Sequence, residues 1–395
     1  MKKLALKILC ISLAVLTLCL CFTGCKKKNT TFVIGGTGPL TGATKIYGES
    51  VRNAAQLAVD EINANGGING IQITFKFEDD EHKPASAVNA YNKLMGENIH
   101  VFLGTVTSDP CKAVVKEAER DNVFLLTPSG SALACVRKVD NDGNITGTYS
   151  NAFRVCFNDP DQGIGAANFI KNNMADVKKV GIIYNSSDVY STGLFEKFTT
   201  QAASNGLEYV TQSYTNTTNT DFSTQINALK TENVDLVFLP IYYEDAASIL
   251  TQANDLGLNK TFFGCDGLDG IIKQLGDKSN LAEGVMLLTS FAADSTDEKT
   301  KAFVEAYKAK YSSTPDQFAA AAYDGVYIIK AAIEKAGVTD PSISASELCD
   351  LLKVAMTEIE ITGVTGTMTW DADTHEPNKT ATAVVIENGV YKAYN

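Results

Sequence analysis

The residues of this chain that could do chemistry sit in loops that follow apolar runs. They are Thr105-Val106-Thr107-Ser108, Ser129-Gly130-Ser131, Tyr242 and Asp266. Hydroxyls and backbone N–H groups beside helix N-termini make a cradle for a carboxylate. A lone Asp at another strand end is a partner for an ammonium. Together they describe a site for a zwitterion. The same residue types also serve as ordinary turn and cap residues, so the pattern alone leaves both readings open.

Other chemistries find less support. Gly36-Thr37-Gly38-Pro39-Leu40-Thr41-Gly42 opens like a dinucleotide fingerprint, but its last glycine falls one residue late and the helix starts further on, away from any pyrophosphate. Glu78-Asp79-Asp80-Glu81 are consecutive, so neighbours point apart, and no EF-hand spacing follows; a solvated strand end is the expectation. The 3 histidines, His82, His100 and His375, lie in no HExxH and near no GxSxG serine. With no base beside a nucleophile, an enzyme is not expected, nor a cofactor or metal.

The elements that must position these loops read as α/β. Phe32-Val33-Ile34 is a short strand, Gly35 to Pro39 a turn, and Val51, Ala54, Ala55, Ala58 and Ile62 give a helix with one buried face. Strand–helix alternation continues: Ile73–Phe77, a helix over 85–95, His100–Gly104, a helix over 112–121, and Val123–Leu126. After a polar stretch at 138–151 it restarts with Phe153–Phe157, Val180–Tyr184, Asp235–Leu239, Thr261–Gly264 and 284–288. Helices follow over 297–311 and 319–336, and the stretches 366–371 and 383–391 read as a terminal hairpin turning at Asn388-Gly389. Short loops between alternating elements predict parallel sheets with helices on both faces.

Length and composition agree. The chain has 395 residues, 45% hydrophobic and 20% charged, enough for two globular lobes. A net charge of −12 argues against nucleic acid as a partner. Lys2, Lys3 and Lys7 precede an apolar run from Ile8 to Phe22, too short for a comfortable membrane span, that ends in Phe22-Thr23-Gly24-Cys25. This resembles a bacterial lipobox, with Phe22 where Leu is preferred; an ordinary signal peptide or an uncleaved anchor is the alternative. Residues 1–24 would be removed, Cys25 would carry lipid, and 25–31 would tether the protein. Cys111, Cys135, Cys156, Cys265 and Cys349 remain, in no zinc pattern. An odd number leaves at least one thiol unpaired; Cys111–Cys135 is the favoured bridge, buried free thiols the alternative.

GPLTG with the following Tyr47-Gly48, then LAVDEINANGGINGIQITF and EDDEHKP, resembles the start of branched-chain amino-acid-binding proteins of ABC importers. The likeness continues through Phe153-Arg154, Asp161-Gln162-Gly163, Asp221-Phe222-Ser223, Ala322-Tyr323-Asp324-Gly325 and 366–371, over essentially the whole mature chain. The resemblance implies a type I periplasmic binding protein: two Rossmann-like lobes joined by three crossovers, closing on a ligand. It implies one lobe from 32–156 and 291–363 and another from 157–290 and 364–395, with crossings near Phe157, Ser290 and Gly363.

It also implies roles. Ser108 and Ser131 bind the ligand carboxylate, Ser131 replacing a threonine. Ser129 offers its backbone carbonyl to the ammonium, and Asp266, where an acid is expected and Glu is common, pairs with it. Tyr47 lines the side-chain pocket, Thr105 and Val106 shape it, and Tyr190 and Tyr242 close over the ligand. Asp109 departs from the pattern, and either faces solvent as a cap or intrudes on the site. The family's disulfide near this loop is missing, since His82 and Thr107 stand there. The partners implied are an amino acid, expected to be aliphatic although relatives in the family bind polar amino acids, amides and aromatic acids, and a membrane permease serving a monomeric binding protein. A sensor for a membrane receptor and an exported enzyme are the competing readings; product from an amino-acid mixture would separate the last.

Overall fold

The computed structural model describes residues 30–140, 142–216 and 220–394, so the signal segment, Cys25 and most of the tether lie outside the described residues. Strand β1 (Phe32–Gly38) is longer than the sequence predicts, because its glycines stay in the strand instead of turning. A Cβ on Gly36 would stand 2.4 Å from the Leu103 carbonyl oxygen, and one on Gly38 would stand 2.5 Å from the Val106 side chain. Glycine is what lets β1 lie this close to the loop carrying Ser108. Helix α1 (Lys45–Ala64) buries the expected face from Val51 to Ile62.

The first lobe continues through β2 (Ile73–Asp79), α2 (Pro84–Gly96), β3 (Val101–Leu103), α3 (Ser108–Asp121) and β4 (Phe124–Thr127). Helix α3 begins four residues before the sequence reading places it. Pro110 fits its first turn, where a missing N–H costs nothing. The polar stretch holds a small hairpin, β5 (Arg137–Val139) and β6 (Ile145–Thr148), and β7 (Ala152–Arg154) completes a parallel sheet ordered β2-β1-β3-β4-β7. Asp79 works as a clasp at the end of β2: its carboxylate accepts from the Leu40 N–H at 2.8 Å and the Thr41 hydroxyl at 2.7 Å.

The second lobe runs through α4 (Asp159–Asn173), β8 (Lys179–Asn185), α5 (Val189–Ser204), β9 (Glu208–Tyr214), α6 (Ser223–Thr231), β10 (Leu236–Leu239), α7 (Tyr243–Asp255), β11 (Thr261–Gly264), the short α8 (Ile271–Leu275) and β12 (Met286–Thr289). The chain then returns. After α9 (Glu298–Tyr311), helices α10 (Gln317–Lys335) and α11 (Ala345–Met356) bury Val326, Ile329, Leu348 and Leu352 with Ile34 and Leu103 of the first sheet.

Strands β13 (Ile361–Gly363) and β14 (Gly366–Met368) pair with each other, so 366–371 is not part of the terminal hairpin that the sequence reading proposes. Met368 and Trp370 lie in the first lobe's buried cluster, and the Trp370 indole N–H donates to the Arg154 carbonyl at 2.8 Å. An indole buried with its N–H satisfied anchors this segment to the first lobe beyond Gly363. The second sheet is rejoined at β15 (Thr382–Glu387), which pairs antiparallel with β12 and turns through Asn388 (φ 55°) and Gly389 (φ 72°) into β16 (Val390–Ala393). That sheet is ordered β16-β15-β12-β11-β10-β8-β9. Positive φ at both turn residues is what a two-residue hairpin demands, and Asn-Gly supplies it.

Candidate functional site

The loops after β3 and β4 form one wall of an interlobe cleft. Ser108 opens α3, so its hydroxyl stands at the positive end of a helix. Its oxygen accepts from the Ala132 N–H at 3.2 Å, which leaves the hydroxyl proton to donate. Ser129 turns its hydroxyl away, donating to the Val106 carbonyl at 2.6 Å, so it offers the cleft main chain rather than side chain. Ser131 lines the cleft beside them, with Val106 and Thr107.

Facing them from the second lobe are Tyr190, Tyr242 and Asp266. The Tyr190 hydroxyl donates to Asp266 Oδ1 at 2.7 Å and accepts from the Gly267 N–H at 2.8 Å. The Asp266 N–H donates to the Gln162 side-chain Oε1 at 3.1 Å. Burial pushes the Asp266 carboxyl up to about 6, against the pull of its Tyr190 and Gln162 hydrogen bonds toward the anion. Tyr242 stacks on Tyr190 with ring centroids 4.8 Å apart. The cleft therefore has a helix N-terminus with hydroxyl donors on one side and a buried acid on the other, the complement of a zwitterion. Ser108→Ala is expected to cost about 1–3 kcal/mol of binding for a hydroxyl held by a carboxylate. Calorimetric titration checks it; a loss of stability with unchanged affinity would make Ser108 a cap.

Tyr47 and Thr105 do not line the cleft. The Tyr47 hydroxyl crosses between lobes to donate to the Gly267 carbonyl at 2.5 Å, and its ring stacks on Phe318 at 3.9 Å. Tyr47 bridges the two lobes, and Phe318, at the start of α10, is the aromatic that reaches the cleft. The Thr105 hydroxyl donates to the Thr107 carbonyl at 3.2 Å and shapes the loop from behind. Asp109, in the first turn of α3, is half-buried: its carboxylate lies by the Val189 N–H of the other lobe, with burial raising its pKa against Lys112 and Val189.

Supporting residues were less visible in the sequence. Arg154 is fully buried; its guanidinium donates to the carbonyls of Gly130, Ser131 and Ala132 at 2.9, 2.5 and 3.0 Å, and pairs with Glu376 at 2.9 Å. It holds the loop that carries Ser129 and Ser131. His82 and Thr107 are joined by a 2.8 Å hydrogen bond, and the His82 ring meets Tyr242 edge-on. Burial depresses the His82 pKa to about 4, so the ring is neutral at physiological pH. Cys111 and Cys135 share a small buried cluster but are free, like Cys156, Cys265 and Cys349, so the favoured bridge is replaced by its alternative.

The chain matches the periplasmic binding protein family over residues 31–390. It belongs to that family. The Leu/Ile/Val-binding protein BraC3 of Rhizobium johnstonii is 31% identical over 338 residues, covering 85% of this chain and 88% of that protein. The leucine-, isoleucine-, valine-, threonine- and alanine-binding protein of Pseudomonas aeruginosa is 31% identical over 320 residues, covering 80% and 82%. Among solved structures, the branched-chain amino acid transporter substrate-binding protein LivJ of Streptococcus pneumoniae, in complex with isoleucine, is 28% identical with a TM-score of 0.79, covering 92% of this chain and 98% of that one. A benzoate-bound solute-binding protein of an ABC transporter from R. palustris has the same fold, with a TM-score of 0.80 at 20% identity, covering 92% and 96%.

Proposed function

We propose that this protein captures an aliphatic L-amino acid between its lobes and presents the closed form to an ABC permease. It does so tethered outside the cell membrane by lipid on Cys25, binding its cargo without turning it over. The observation that carries this reading is the opposition of Ser108 and Ser131, at the mouth of α3, to the buried Asp266–Tyr190 pair. An aromatic acid would satisfy the hydroxyls but leave Asp266 without a cation, so an amino acid is the better complement. The ligand carboxylate takes the Ser108 and Ser131 hydroxyls, and the ammonium takes the Ser129 carbonyl and Asp266. Asp is one methylene shorter than Glu, which leaves room for a bridging water.

The walls close to a residual cavity of about 10 Å³, so the ligand must enter an opened form and is enclosed as the lobes meet. A thermal-shift screen of the natural amino acids and benzoate tests the reading. The true ligand at a hundredfold excess over Kd is expected to stabilise the protein by about 2.7 kcal/mol. Stabilisation by benzoate and by no amino acid would overturn it.

The pH dependence follows from Asp266. Its carboxyl is raised to about 6 in the closed cleft, so below that pH a proton must leave before an ammonium pairs with it. Affinity is expected to be flat above about pH 7 and to fall toward tenfold per pH unit as pH drops below about 6. Titrations from pH 5 to 8 check this; affinity that rises on acidification contradicts it.

A further inference from the structure

Two tyrosines cross between the lobes in opposite directions. Tyr47, in the first turn of α1, donates its hydroxyl to the Gly267 carbonyl of the second lobe at 2.5 Å. Tyr243, the first residue of α7, donates its hydroxyl to the Ala43 carbonyl of the first lobe at 2.7 Å and accepts from the Ile46 N–H at 3.2 Å. The two rings meet edge-on with centroids 4.8 Å apart. Both side chains are fully buried, and neither lines the cleft.

Helix α1 has no side-chain cap of its own. The first N–H groups of a helix find no partner within it, and the residue before the helix commonly supplies one from its side chain. Thr44 stands at that position and makes no such bond; its hydroxyl is buried without a partner. The Ile46 N–H is satisfied by the Tyr243 hydroxyl, from 197 residues away in the chain. The start of α1 is therefore completed by the other lobe.

The Tyr47 bond reaches the acid of the cleft. Gly267 follows Asp266, and its N–H donates to the same Tyr190 hydroxyl that donates to Asp266. A Cβ on Gly267 would stand 2.6 Å from that hydroxyl and 2.7 Å from the Ile241 carbonyl oxygen, so this turn has no slack. Tyr242, beside Tyr243 in the chain, lines the cleft and stacks on Tyr190. Each crossing thus adjoins, by one residue, a second-lobe group that faces the cleft.

We propose that Tyr47 and Tyr243 form a reciprocal latch, a pair of positioning residues that hold the lobes shut and fix the Asp266–Gly267 turn without touching the bound amino acid. This latch presupposes the amino-acid reading of the cleft. Each bond joins a side chain of one lobe to main chain of the other, so opening the lobes breaks both and closing them restores both. A contact made only in the closed form raises affinity through the population of that form, whatever side chain the ligand carries. It forms after encounter, so it slows release and leaves capture unchanged.

Tyr243→Phe and Tyr47→Phe each keep the ring and remove the hydroxyl. The test is calorimetric titration and stopped-flow kinetics of the parent and both variants with leucine, isoleucine, valine, threonine and alanine, beside thermal unfolding of the ligand-free proteins. Each variant is expected to bind about five- to thirtyfold more weakly, by one common factor for every amino acid that the parent binds, with the loss in the dissociation rate. The ligand-free unfolding midpoint should stay where it is. Unchanged affinity, a factor that differs among the amino acids, a loss carried by the association rate, or a lowered ligand-free midpoint with unchanged dissociation each overturns the latch. If no amino acid binds the parent, the reading of the cleft falls, and the latch is read from small-angle scattering of the ligand-free proteins. A larger radius of gyration in Tyr243→Phe than in the parent would then support it, and an equal one would overturn it.

Discussion

Replacing Asp266 by alanine is expected to weaken amino-acid binding by about 2–4 kcal/mol, a loss of tens- to several-hundredfold in affinity. The ammonium would be enclosed without a counter-charge, and the Tyr190 hydroxyl would lose the acceptor it holds at 2.7 Å. Asp266→Asn separates the two contributions. It keeps the shape and an acceptor for Tyr190 but removes the charge, so it should lose most of the same affinity. An asparagine variant that binds as tightly as the parent would assign Asp266 to shaping the turn at 266–268 rather than to the ligand.

Arg154→Met is expected to cost about 3–5 kcal/mol of stability, because it strands a buried carboxylate. The guanidinium reaches the carbonyls of Gly130, Ser131 and Ala132 together with Glu376, which is itself only 16% exposed. Its removal frees the loop that presents Ser129 and Ser131, so affinity should fall as well. Chemical denaturation reads the first effect and titration the second. The double variant Arg154→Met/Glu376→Gln removes the stranded charge and should recover part of the stability but not the affinity. An Arg154→Met protein with unchanged midpoint and unchanged affinity would show that the carbonyls hold their places unaided.

The alternating sheets and the loop hydroxyls were legible because they are local. An apolar run ending in a serine-bearing turn marks Ser108 and Ser131 without any knowledge of the other lobe. Residues whose meaning depends on distant partners were not. Arg154 reads as one residue of a strand, yet its partners lie more than twenty positions back and, in Glu376, far down the chain. Tyr47 reads as a pocket aromatic, but its hydroxyl crosses to Gly267, and Phe318 takes the place at the cleft. The glycines of β1 read as a turn because sequence shows their flexibility and not the Leu103 carbonyl and Val106 side chain that crowd them. Trp370 holds its segment to the first lobe by burying its ring in that lobe's core and donating to the Arg154 carbonyl, partners that no spacing rule anticipates.

In the proposed site one buried acid and one hydroxyl-lined helix end, brought together from two lobes, hold an amino acid by both its charges. Titration of the parent and Asp266→Asn proteins side by side with leucine, isoleucine, valine, threonine and alanine tests it most directly. Saturable binding of at least one of them to the parent at a single site is expected, weakened at least about thirtyfold in the variant. Binding of none of them, or equal affinity in both proteins, would contradict it.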